Sequence, residues 1–412
     1  MAMAMRQVIN GNFRIGFRVN VKQNPLPAPN SLTAPNTFNT LIIDAAGDLV
    51  IRLYTTKNTI GKSFKSADDG RLKGGRIIVA MQVSRDVIIA NSTTFAIRFK
   101  NALVAASAAS DSRLTIDIPE GNEVAFEVWV RAIHEGAMNS QMYSISIEDV
   151  WNVLQAHKVY QFELQKLNSW FEEWVKNMGG DRCVGFTLKE LPQLMLPCQK
   201  FENDLAFARI TRRYAYEGVQ HLPEKNPTSY YNLRSAPRVI GGLNTARGNL
   251  KTEIHKALYL NRQFLTSECS CRKDGLFAFE LAMDKTGAWP LEEKLHGKEA
   301  KSIQAVLQLL ETFTYEPPNK DCKLCSTDFA TVKILPGVQK VRQNFGGLCL
   351  NCMANPKDKN QYRDRVCGQV TWDKGCKFRH DQLTWYFSWL ASKDKSEQER
   401  EEQRRKDQEE SN

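Results

Sequence analysis

No stretch of the 412-residue sequence approaches the roughly eighteen uninterrupted apolar residues of a membrane-spanning helix. The opening Met1-Ala-Met-Ala-Met-Arg6 lacks the apolar core of a secretory signal, so no export signal is expected and the cytosol or nucleus is the expected location. Histidine is scarce. The six histidines, at 134, 157, 221, 255, 296 and 380, form no His-x-x-x-His pair, and no Gly-x-Ser-x-Gly elbow is present. Gly61-Lys62-Ser63 ends like a phosphate-binding loop, but Thr56 stands where that loop needs its first glycine, so the cradle of backbone amides is missing. These absences remove the commonest hydrolase and nucleotide-binding readings and point to a protein that is not an enzyme.

What remains is ordinary globular material. Apolar residues make up 42% and charged residues 25%, and the length predicts two or three domains. The net charge of +10 would suit an anionic partner such as nucleic acid, although the charge is spread along the chain. Two segments cannot bury much surface. Lys22 to Thr40 collects Pro, Asn, Ser and Thr and reads as a linker, and Ser392 to Asn412, with eight acidic and six basic side chains, reads as a solvated tail.

The cysteines carry the strongest signal. Cys322/Cys325 and Cys349/Cys352 are two Cys-x-x-Cys pairs with 23 residues between them. Each pair offers two thiolates to one ion, and two pairs together close a four-thiolate structural zinc site with no open position for chemistry. In a reducing compartment paired cysteines more often bind metal than form disulfides. Downstream, Cys367, Cys376 and His380 are candidates for a second metal site, with Cys269 or Cys271 supplying the fourth ligand. The alternative is that His380 starts a helix and the two thiols are simply buried or free. Cys183 and Cys198 read as apolar core residues.

Periodicity organises the first half. Leu49, Ile51 and Leu53 alternate with Val50 and Arg52 as in a half-buried strand, and Arg76 to Val83 is a second strand leading into a helix at Ser84-Arg85-Asp86. Ser92 is placed to cap a turn carrying Phe95 and Phe99, and Leu114, Ile116 and Ile118 form a strand stopped by Pro119. The period then becomes helical: Phe126, Trp129, Val130 and Ile133 make one stripe ending near Gly136. Ser146 to Asp149 has capping-box spacing ahead of Val150, Trp151, Val153 and Leu154, and helix is expected to about Val175. This order predicts an α+β cluster rather than a repeating βαβ fold.

In sequence order, Asp48-Leu-Val-Ile, Val83-Ser-Arg-Asp-Val-Ile-Ile-Ala-Asn-Ser-Thr-Thr-Phe95, Ile116-Asp-Ile-Pro119, Phe126 and Val150 to Leu167 resemble the BTB/POZ domain. Ser84 and Thr93 depart from that pattern, which usually has His and often Pro there. Pro237 to Leu250, Cys269-Ser-Cys271 and His380 to Trp389 are similar to a class of fungal BTB proteins with a helical middle and a cysteine-rich C-terminus. The resemblance implies self-association as a homodimer or docking to a scaffold. In its most specific form it implies a substrate adaptor of a cullin-RING ubiquitin ligase.

The expected organisation is an N-terminal segment and linker over 1–40 and a BTB/POZ-like domain over 41–176. A mainly helical region follows over 177–320, then a small zinc-stabilised module over 321–390 and a charged tail over 391–412. In the helical region, Leu205, Ala206, Ala208, Ile210 and Tyr214 form one core face and Ile303, Val306, Leu307 and Leu310 another. Between Asp321 and Leu390, eleven basic and six acidic side chains are interleaved with Trp372, Phe378, Trp385, Tyr386, Phe387 and Trp389. That mixture suits single-stranded nucleic acid, or else these rings are the core of the zinc-stapled module. The functional expectation is a protein-protein interaction protein. The alternative is a nuclear regulator whose basic module, including Trp372 and Lys377, binds RNA or DNA.

Overall fold

The computed structural model describes residues 18–20, 40–55, 76–97, 99, 114–119, 121–235, 237–259, 261–354, 376, 378–383 and 388–390. The architecture is mixed α+β and mostly helical, and no helix among the described residues is long and apolar enough to cross a membrane. The chain divides between Trp170 and Phe171 into two compact units.

The first unit is built on strands β1 (Arg18–Asn20), β2 (Thr40–Ile42), β3 (Leu49–Thr55), β4 (Arg76–Val83) and β5 (Leu114–Pro119), in the sheet order β1-β5-β3-β4-β2. Central β3 runs antiparallel to β4 and parallel to β5, while the flanking pairs are β1 antiparallel to β5 and β2 parallel to β4. The alternation seen in the sequence is the pleat itself: Leu49, Ile51 and Leu53 are fully buried. On the opposite face Arg52 and Asp117 are register partners, and Arg52 Nε donates to Asp117 Oδ1 at 2.8 Å.

Helices α1 (Arg85–Asn91), α2 (Glu123–Ile133) and α3 (Ile147–Tyr160) accompany the sheet, and α2 packs against both α1 and α3. Each begins at a side-chain cap: Ser84 accepts from Val87 N–H, Asn122 from Ala125 N–H and Ser146 from Asp149 N–H. The Ser92 cap also forms, with Phe95 N–H donating to its Oγ, and residues 93–97 are helical. The two positions that depart from the BTB pattern both have local roles. Ser84 caps α1, its own N–H donates to His134 Nε2 at 3.1 Å, and the Thr93 hydroxyl bonds to Gln161.

An aromatic cluster fills the space between these helices. Trp129 stacks on Phe162 with centroids 4.9 Å apart, Phe126 meets Tyr160 edge-on at 5.4 Å, and Phe95 touches both sets. The indole N–H of Trp129 donates to Val153 O at 2.9 Å, joining α2 to α3 inside the core.

The second unit contains most of α4 (Asn168–Gly179), then α5 (Leu191–Lys200), α6 (Asp204–Glu217), α7 (Pro237–Leu258), α8 (Asn261–Thr266), α9 (Arg272–Lys285), α10 (Leu291–His296) and α11 (Ile303–Leu310). A π-helical turn at Ala330–Ile334 runs into α12 (Leu335–Asn344), followed by α13 (Leu350–Ala354) and the hairpin β6 (His380–Leu383) with β7 (Ser388–Leu390). The sequence boundary at 320/321 falls inside this unit, because α12 packs on α7 and α13 on α6. His380 begins a strand, not the helix that one sequence reading gave it. Cys183 and Cys198 are buried, as expected for core thiols.

Helix α6 is the hub, packing against α5, α7, α11 and α13. Its last turn leaves carbonyls without helical partners, and Arg247 of α7, only 4% exposed, fills that gap. Its guanidinium donates to Ala215 O at 3.1 Å, to Gly218 O at 2.8 Å and to Gln220 O. A cation at a helix C-terminus also suits the helix dipole.

These contacts make the Trp129 ring central to the first unit. We expect Trp129→Ala to destabilise that unit by about 3–5 kcal/mol, since it opens a cavity and removes the indole N–H that ties α2 to Val153 O. In hydrogen exchange on the full chain, protection over 123–160 should fall while that over 237–258 holds.

Candidate metal centres

The two Cys-x-x-Cys pairs do not meet each other as the sequence spacing suggests. Cys322 and Cys325 converge with Cys269 and Cys271, whereas Cys349 and Cys352 converge with Cys376 and His380. In each group one ligand atom per residue lies within 4.8 Å of the others. This corrects the grouping of the two Cys-x-x-Cys pairs into one site. Each pair is half of a different site, and the tertiary fold chooses the other half. Cys269 and Cys271 both serve the first centre, so neither completes the second. The second is complete with four described ligands, and Cys367 lies outside the described residues.

The first centre is assembled on α9. The Ser267 hydroxyl donates to Cys269 Sγ at 3.0 Å, and Gly275 N–H bonds to Cys271 O at 2.9 Å as α9 begins. Across from them the chain turns tightly at 322–326, where Ser326 N–H donates to Cys322 O at 2.8 Å. Backbone N–H groups of Cys325 and Leu324 face the Cys322 sulfur, and with the Cys271 side chain they hold its pKa down at about 6. Cys271 and Cys325 sulfurs are 3.4 Å apart. Gly275 makes room for this approach: a Cβ there would lie 2.8 Å from Cys325 Sγ.

The second centre is assembled on α6. Gly347, at φ +118°, brings its backbone so close to α6 that a Cβ would collide with Ala208 O, so only glycine fits. The fully buried Thr211 hydroxyl donates to Phe207 O at 2.7 Å and accepts Leu348 N–H at 2.9 Å. Arg212 Nε donates to Phe345 O at 3.3 Å and the Tyr216 hydroxyl to Val341 O at 2.7 Å. Three α6 side chains therefore hold 341–348 in place, and Cys349 lands against Ala208.

Cys376 and His380 complete this group from the start of the hairpin. Cys349 and Cys376 sulfurs are 3.7 Å apart, Cys352 Sγ is 3.2 Å from His380 Nε2, and Asn351 Nδ2 donates to Cys376 Sγ at 3.3 Å. Hydrogen bonds from Cys349 and Cys352 push the Cys376 thiol well down. Burial lowers His380, but its bonds to Cys352 and Cys376 outweigh that and raise it to about 9.

The donor sets and spacings fit a metal ion. Tetrahedral zinc with sulfur at ~2.3 Å separates its sulfurs by roughly 3.7 Å, close to the distances in both groups. Thiolate and imidazole are the soft donors that suit such an ion. Each centre has all four ligands from protein, which is the closed arrangement of structural sites. Of the aromatic and basic residues that suggested nucleic acid, Trp372, Lys377, Trp385, Tyr386 and Phe387 lie outside the described residues.

Two separate centres give a plain expectation for metal content. Cys322→Ser and Cys349→Ser should each lose one of two bound ions, and the double variant should lose both, as counted by elemental analysis of the purified full chain. One shared site would lose the same single ion in all three. Gly275→Ala should weaken only the first centre and Gly347→Ala only the second. Comparison with family models, curated proteins and solved structures finds no match for this chain, so its function is read from the residues themselves.

Proposed function

We propose that this chain is a non-enzymatic protein-protein interaction protein whose second unit is stapled by two structural zinc ions. The observation that carries the reading is that both cysteine-rich groups supply four protein ligands, leaving no coordination position for substrate. Zinc is the assignment because closed sets of four cysteines, or of three cysteines and a histidine, are its usual structural sites. Such an ion contributes on the order of 10 kcal/mol to folding, comparable to the whole net stability of a domain.

The first unit is the interaction module, and we assign it to the BTB/POZ type. A β3–β4 hairpin, helices over 85–97, a third strand parallel to the first and a closing helical pair support that assignment, because they follow the order of the resembling sequence segments. On this reading the first unit self-associates or docks a scaffold, and the zinc-stapled unit presents a surface to a second protein. The most specific version is a substrate adaptor of a cullin-RING ubiquitin ligase.

Full-length tagged protein purified from its own cells should bring down a cullin at near-equal amounts by quantitative mass spectrometry. Recovery of other protein partners without any cullin would overturn the adaptor version and leave the interaction reading. Recovery of RNA-bound or chromatin proteins, with binding that weakens steeply as salt rises, would overturn both in favour of a nucleic-acid regulator.

A further inference from the structure

Helix α9 has a buried side and a bare apolar side. Gly275, Phe279, Ala282 and Met283 form the buried side, and Gly275 lies against the Cys325 sulfur. On the opposite side Phe277 is 71% exposed, and Leu281, four residues on and therefore on the same face, is 44% exposed. Single apolar residues on a surface need no explanation. An aromatic and an aliphatic side chain adjacent on one helix face, turned to water, is how a helix presents itself to a partner.

The charges around this pair select the partner. Lys273 and Asp274 lie a turn before Phe277, Asp284 and Lys285 a turn after Leu281, and all four are exposed. At about 3.6 residues per turn, Lys273 and Asp284 fall on one flank of the apolar pair, and Asp274 and Lys285 on the other. The face is therefore its own complement. Turned end for end about a two-fold axis, it sets Lys273 opposite Asp284, Asp274 opposite Lys285 and Phe277 opposite Leu281 of a second copy. Such self-complementarity is what a two-fold interface requires.

We infer that α9 is a self-association surface through which two copies of this chain pair, their α9 helices antiparallel. That direction opposes the two helix dipoles and seats each phenylalanine on the smaller leucine, whereas a parallel pair would align the dipoles and set Phe277 on Phe277. The patch is small, so the pairing depends on concentration. It is separate from any self-association of the first unit.

The test mixes isotope-labelled and unlabelled full chain and adds a carbodiimide, which joins a lysine amine directly to a carboxylate. A Lys273–Asp284 link between a heavy and a light chain is expected. Within one helix those two residues stand roughly 16 Å apart along the axis, too far for a direct bond. In sedimentation, Phe277→Ser should weaken association about 10-fold or more, and these exposed positions leave the fold intact. Lys273→Asp and Asp284→Lys should each weaken it about 10-fold by setting like charges opposite each other, and an equimolar mixture of the two should restore it. Absence of the heavy–light link, or loss in both charge variants without rescue on mixing, would overturn the inference. Association that none of the variants changes would also overturn it and would leave the first unit as the self-associating module. The link together with the rescue would support it even if the first unit does not self-associate.

Discussion

A closed metal centre requires four ligands to meet in a few ångströms, and in this chain that demand is met by segments far apart in sequence. Cys269 and Cys271 wait for Cys322 and Cys325, and Cys349 and Cys352 wait for Cys376 and His380. Each closure fixes a long loop, whose entropy cost grows only slowly with length. The helices between the ligands must also arrive correctly packed. This is why so much of the second unit consists of devices that bring backbone close to backbone.

Helix α6 shows how those devices work. One side of its last turn is bound by Arg247, which satisfies carbonyls that the helix cannot. Arg212, Thr211 and Tyr216 reach the chain before Cys349, and Gly347 removes the side chain that would collide with Ala208. The first centre relies on a parallel solution, since Gly275 opens α9 to the Cys325 sulfur. The apolar residues of α6, among them Ala206, Phe207 and Ile210, supply burial, while its polar residues supply position.

Local chemistry was legible in the sequence. Alternation located β3 and β5, the caps at Ser84 and Ser146 marked the starts of α1 and α3, and the helical stripe from Phe126 to Ile133 is the buried face of α2. Each of these depends on neighbours within a few residues. The Cys-x-x-Cys pairs were legible as half-sites for the same reason, because the spacing fixes two sulfurs on one turn. Which halves join was not legible, since nothing near Cys322 in sequence points to Cys269. The Cys269-Ser-Cys271 spacing was the available signal, and it read as a spare ligand rather than as the other half of a centre. Arg247 and Gly347 were likewise silent, because their roles exist only against another element.

Zinc-edge X-ray absorption on the purified full chain tests the two-centre account most directly. Seven sulfurs and one imidazole nitrogen shared by two ions should appear as a mainly sulfur shell with a minor nitrogen contribution. The metal count should be two per chain. One ion per chain in an all-sulfur shell would contradict it, because that is the signature of Cys322, Cys325, Cys349 and Cys352 sharing a single site.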